Sequence, residues 1–75
     1  MSNKGTKKME IVSKILQELR NEKGLTQQKV ADYLKIDRSN YSKYELGKLE
    51  ISIDMIRKLT KLYSVSADYL LGLEK

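Results

Sequence analysis

An all-α fold of five short helices is predicted by three features of this 75-residue sequence. From Met9 to Leu73 the apolar residues recur at helical spacing, and no stretch alternates as a half-buried strand would. Four times an apolar residue precedes Ser, Thr or Asp, with another apolar residue after a gap of three: Leu25-Thr26 to Val30, Ile36-Asp37 to Tyr41, Ile51-Ser52 to Ile56, and Val65-Ser66 to Leu70. Each match is an N-cap with a hydrophobic staple between N′ and N4, and the spacings of 11, 15 and 14 residues mark four helix starts. Gly24, Gly47 and Gly72 fall just past three of the periodic segments, where a left-handed C′ residue is wanted.

Taken in order, Val12, Ile15, Leu16 and Leu19 imply a first helix over 9–23. Caps at Thr26, Asp37, Ser52 and Ser66 then open helices over 27–34, 38–46, 53–63 and 67–71. Residues 1–8, MSNKGTKK, hold three Lys and Met1 as their one apolar side chain, so a flexible basic arm is expected there. The domain proper runs over 9–75, with a motif at about 26–46.

Composition narrows the function. Without Cys or His there is no disulfide framework, no zinc finger and no ordinary neutral-pH general base, so neither a metal cofactor nor an enzyme is expected. A chain of 75 residues buries only about 60% of its unfolded surface and leaves little room for an enclosed site. No small-molecule ligand is expected, and control should come through concentration, dimerisation or a partner. No apolar run approaches the roughly 20 residues of a membrane span, and the N-terminal residues lack the apolar stretch of a secretory signal, so a cytoplasmic protein with no membrane partner is expected. The net charge of +5 favours a polyanion, nucleic acid ahead of a membrane surface. The charge is dispersed, however: 25–48 holds five Lys and Arg against three Asp and Glu, and the arm supplies three more Lys.

Only Lys35, Ile36 and the cap Asp37 separate the second and third helices, which is the geometry of a helix-turn-helix. Stepping 100° per residue from Arg38 puts Tyr41, Tyr44 and Glu45 on an inward face and Ser39, Ser42, Lys43 and Leu46 on an outward one.

The run from Ile15 to Leu73, including LRNEKGLTQQKVADYLKIDRSNYSKYELGK and SVSADYLLGL, closely resembles the Cro and phage-repressor type of helix-turn-helix family, also called the XRE family. The resemblance spans about 59 of 75 residues. It implies a five-helix, lambda-repressor-like bundle that binds double-stranded operator DNA, usually as a homodimer, with the third helix in the major groove. The implied regulator is a repressor reading a palindromic operator. By the same resemblance, base readout falls to Arg38, Ser39, Asn40 and Lys43. Their chemistry suits it, because Arg or Lys pairs with guanine and Asn with adenine. Phosphate contacts fall to Thr26 and Gln27 at the second helix start and to Lys48 after the third, with Gly47 letting the backbone approach. The Tyr41 hydroxyl is a further phosphate candidate, beside the core packing of its ring. Arg20 and Glu45 are implied to form a structural ion pair.

Three features depart from the family pattern. Lys35 stands where Gly is common and would cost about 1 kcal/mol if it must take the left-handed conformation; Tyr41 and Tyr44 replace aliphatic residues; Leu46 and Glu50 stand at often polar positions. Tyr69, Leu70, Leu71 and Leu73 are many apolar groups for a short terminal helix, and either cap the core or form a C2 dimer contact. The alternative function is a protein-interaction module of the same fold, an antitoxin or anti-repressor, using that apolar surface.

Overall fold

The computed structural model describes residues 4–73, with side chains from Glu10 onward. Five helices follow in order: α1 (Lys4–Glu22), α2 (Gln27–Leu34), α3 (Arg38–Glu45), α4 (Ile53–Tyr63) and α5 (Ala67–Leu70). No strand occurs among the described residues. The bundle is all-α, as the apolar periodicity requires.

The helix starts follow the caps. Thr26 Oγ1 accepts from the Lys29 N–H at 3.1 Å, Ser52 Oγ from Met55 at 3.2 Å and Ser66 Oγ from Tyr69 at 3.0 Å. Asp37 has the extended backbone of an N-cap, yet its carboxylate makes no capping bond. The first helix differs from expectation: it begins at Lys4, so residues 4–8 of the expected arm are helical. No proline intervenes, and a helix docked through Leu16 and Leu19 extends backward with one hydrogen bond per added residue and no new nucleus. Residues 1–3, and the side chains of Lys4, Lys7 and Lys8, lie outside the described set.

The helix ends share one device. The Leu25 N–H reaches Arg20 O at 3.0 Å, Ile36 reaches Ala31 O at 3.0 Å, Lys48 reaches Lys43 O at 2.9 Å, Val65 reaches Thr60 O at 3.1 Å, and Leu73 reaches Asp68 O at 2.8 Å. Each is the long bond of a Schellman turn, closed by a left-handed residue just before the donor. Glycine fills that position at 24, 47 and 72, but Lys35 (φ 62°) and Ser64 (φ 56°) fill the other two. Lys35 therefore takes the left-handed conformation that the sequence left conditional. Ser64 was not anticipated, although Gly24-Leu25-Thr26, Lys35-Ile36-Asp37 and Ser64-Val65-Ser66 are the same connector: a left-handed residue, an apolar residue, a cap.

Leu16, Leu19, Val30, Ala31, Leu34, Tyr41, Met55, Leu59, Tyr63 and Leu70 form one buried core drawn from all five helices. The staple partners Leu25, Ile36, Ile51 and Val65 pack on its edge. Helix α3 sits between α1 and α2, and α5 closes the far end against α1 and α4. Leu70 is fully buried in this core, which corrects its assignment to a dimer face: as the N4 partner of Val65 its side chain must turn inward. Leu71 is half-buried, while Tyr69 and Leu73 stay exposed.

Two substitutions test the turns in opposite directions. Lys35→Gly relieves a left-handed lysine and should raise stability by up to about 1 kcal/mol, roughly 4–8 °C in Tm. Gly72→Ala, at φ 76° with its new Cβ driven into the Ile11 side chain, should lower stability by at least about 1 kcal/mol in the same thermal melts.

Candidate nucleic-acid interface

Helix α3 has eight residues, too few to be stable alone, so its orientation depends on what holds its inner face. Glu45 does most of that holding. Its carboxylate, 3% exposed, accepts from Arg20 Nε at 2.7 Å and Nη2 at 3.2 Å, from Gln27 Nε2 at 3.0 Å and from the Tyr41 hydroxyl at 2.6 Å. Arg20 also donates from Nη1 to Leu25 O at 3.0 Å, so one guanidinium ties α1 to both the α1–α2 turn and α3. Gln17 Nε2 adds a bond of 2.6 Å to the Glu45 backbone carbonyl. Burial alone would raise the Glu45 pKa, but the bonds from Arg20, Tyr41 and Gln27 outweigh it and hold the group below its ordinary value of 4.5. The implied Arg20–Glu45 ion pair is thus present, and it is the centre of a larger network.

The network corrects one expectation and narrows another to a backbone group. Tyr41 is fully buried and its hydroxyl is committed to Glu45, so it is no phosphate contact; its pKa is driven up by burial and by that bond. The Gln27 side chain likewise turns inward to Glu45, which leaves its backbone N–H as the group at the start of α2. Only the spacing of the first bond shows in the sequence. Tyr41 and Glu45 are four residues apart on one helix face, as Gln17 and Arg20 are three apart on another. What hides such bonds is that Gln17 and Gln27 read as surface residues until the buried carboxylate between them is located. Tyr63, also buried, has a hydroxyl with no partner among the described residues, and its pKa is pushed up to about 12, first by burial.

The outer face of α3 is different in kind. Arg38, Ser39, Asn40 and Lys43 are all exposed, and Arg38 and Lys43 form no ion pair with any described residue. Lys48 is exposed on the turn that follows, and exposed Thr26 caps α2, whose first N–H groups have no acceptor within the helix. Leu46, 62% exposed, and Leu49, 37% exposed, flank Lys48 along the chain and make that side more apolar than a phosphate clamp built of polar groups. Ile11 on α1 lies beside Gly72 and adds to the exposed apolar surface of Tyr69 and Leu73, a neighbour that the sequence pattern alone did not bring in. No helix among the described residues is long and apolar enough to cross a membrane, and no cluster of three potential metal ligands occurs among them.

The network should give the protein an acid-sensitive step. Because the folded pKa of Glu45 is depressed, its stabilisation is complete above the unfolded value near 4.5 and is lost as pH falls through the folded value. Denaturant titrations should therefore show Glu45→Gln less stable than the wild type by about 3 kcal/mol at neutral pH, with the gap closing below pH 4.5.

A family model described as helix-turn-helix matches residues 16–70. The prophage-derived HTH-type transcriptional regulator YonR of Bacillus subtilis is 45% identical over 56 residues, 75% of this chain and 52% of that protein. The HTH-type transcriptional regulator ImmR of the same species is 43% identical over 61 residues, covering 81% of this chain and 48% of its own length. The HTH-type transcriptional activator BcrR of Enterococcus faecalis is 38% identical over 60 residues, 80% of this chain and 29% of that protein. No solved structure shows a significant match. The chain thus spans about half the length of YonR and ImmR. With the turn geometry, the buried Arg20–Glu45 pair and the family match over the whole α1–α5 core in agreement, the chain belongs to the XRE-type helix-turn-helix family.

Proposed function

We propose that this chain is the DNA-reading unit of a transcriptional regulator, binding double-stranded DNA with α3 in the major groove. The observation that carries the reading is the division of α3: Tyr41 and Glu45 are locked inward, while Arg38, Ser39, Asn40 and Lys43 are exposed. Arg38 and Lys43 supply donors for guanine O6 and N7, Asn40 can pair with adenine, and Ser39 tolerates several edges. The start of α2 at Thr26 and Gln27 offers backbone N–H groups and a partial positive charge to one phosphate, and Lys48 meets another. The reaction asks for no cofactor and no small molecule, and it takes place on cytoplasmic DNA.

Tyr69, Leu71 and Leu73, joined by Ile11, supply a surface for a second copy. A C2 pair would set its recognition helices about 34 Å apart on a near-palindrome. Occupying such an operator across a promoter represses by exclusion, with no further contact required. The same apolar face supports the second reading, an antitoxin or anti-repressor whose partner covers Ile11, Tyr69 and Leu73.

Binding to a selected operator should weaken steeply with salt, and Lys48→Ala should weaken all duplexes alike while flattening the log-log slope by about one. Arg38→Ala and Asn40→Ala should instead change base preference at particular positions, by roughly 1–3 kcal/mol. Leu73→Glu should shift sedimentation from dimer to monomer with the fold intact. Stoichiometric co-purification of another protein, with no retardation of any duplex, would establish the second reading in place of the first. A promoter fused to a reporter reads the sign of regulation, repression being the expected one.

A further inference from the structure

We infer that Asp37 is a specificity-determining residue, its carboxylate accepting a hydrogen bond from a base amine in the major groove and rejecting base edges that offer only acceptors. The inference rests on the DNA-binding reading above and adds to it a residue with the opposite chemistry to Arg38.

Three observations on the protein lead there. Thr26, Ser52 and Ser66 each bond their side-chain oxygen to the third residue of the helix they open, whereas Asp37 occupies the same position before α3 without such a bond. Asp37 is exposed and joins no hydrogen bond or ion pair through its side chain with any described residue, so its acceptor oxygens are left for another group. It is also the one exposed acidic residue from Lys35 to Lys48, because Glu45, the other acid in that span, is buried.

The chemistry of the duplex then decides what such a group can meet. Phosphates carry no donor, so an unpaired carboxylate beside them only repels. In the major groove cytosine N4 and adenine N6 are donors, while guanine and thymine present acceptors and a methyl group. Asp37 precedes Arg38 at the N-terminal end of α3, the end that recognition helices bring to base edges. An acceptor-only group next to a donor-only group sorts neighbouring base edges by opposite rules: Asp37 demands an amine where Arg38 demands guanine. The carboxylate thereby weakens binding to most sequences and spares those with cytosine or adenine at its position.

The test is selection from a random duplex library with the wild-type chain, Asp37→Ala and Asp37→Asn, with thermal melts as the folding control; Asp37→Ser, which restores a good cap, serves if the alanine variant melts early. Asp37→Ala should bind unselected duplex more tightly and should lose, by roughly five- to 150-fold, the preference for cytosine or adenine at one position of each half-site, while the preference read by Arg38 persists. Asp37→Asn, which can donate as well as accept, should admit guanine or thymine there. Identical base preferences for wild type and all folded variants, whatever their affinities, would overturn the role of Asp37 and leave the DNA-binding reading standing. A wild-type chain that enriches no sequence would overturn both.

Discussion

The Glu45 carboxylate is the constraint on which the placement of α3 depends. Four side-chain donor bonds from α1, α2 and α3 itself converge on it, and Gln17 clamps the carbonyl of the same residue. A helix of eight residues whose one fully buried apolar ring is Tyr41 has little hydrophobic contact with which to resist rotation. Directional bonds supply what apolar area does not. They also carry a risk, since an ionised carboxylate taken out of water is costly unless its partners all remain. Loss of function after removing Arg20, Gln27 or Glu45 therefore reports a displaced α3 and says nothing of contact with a ligand.

Around that hub the chain repeats one local solution. A left-handed residue, an apolar residue and a cap join α1 to α2, α2 to α3 and α4 to α5. The middle residue closes the Schellman turn behind it and staples the helix ahead of it, so three residues set both ends. The connection from α3 to α4 is longer, over 46–52, and it is there that Lys48 stands among exposed Leu46 and Leu49. Short connectors join the two motif helices, and the longer one carries exposed Leu46, Lys48 and Leu49.

Much of this was legible because it is local. The bounds of α2 and α4 follow from caps and staples, and the strain at Lys35 follows from its place between two stapled residues. What was not legible depended on burial or on contacts between helices. Tyr41 reads equally as a ring with an outward hydroxyl or as a buried donor until Glu45 is seen to be buried four residues later. Leu70 reads both as the staple partner of Val65 and as surplus apolar surface until α5 is docked against α1, and α1 itself starts at Lys4 because nothing in residues 4–8 stops a helix already anchored downstream. The candidate site shows the same division. The exposed set Arg38, Ser39, Asn40, Lys43 and Lys48 follows from helical periodicity and the family resemblance, whereas the inward turn of Gln27 needed the fold.

The central claim is that one face of α3 is held by the Glu45 network so that the other can read DNA. Amide NMR shifts recorded while a short mixed-sequence duplex is added at low salt test it most directly. The account predicts the largest changes at 26–28, 37–43 and 48, with those around Ile11, Tyr69 and Leu73 small. Changes confined to the Ile11, Tyr69 and Leu73 end, or no changes at all, would contradict it.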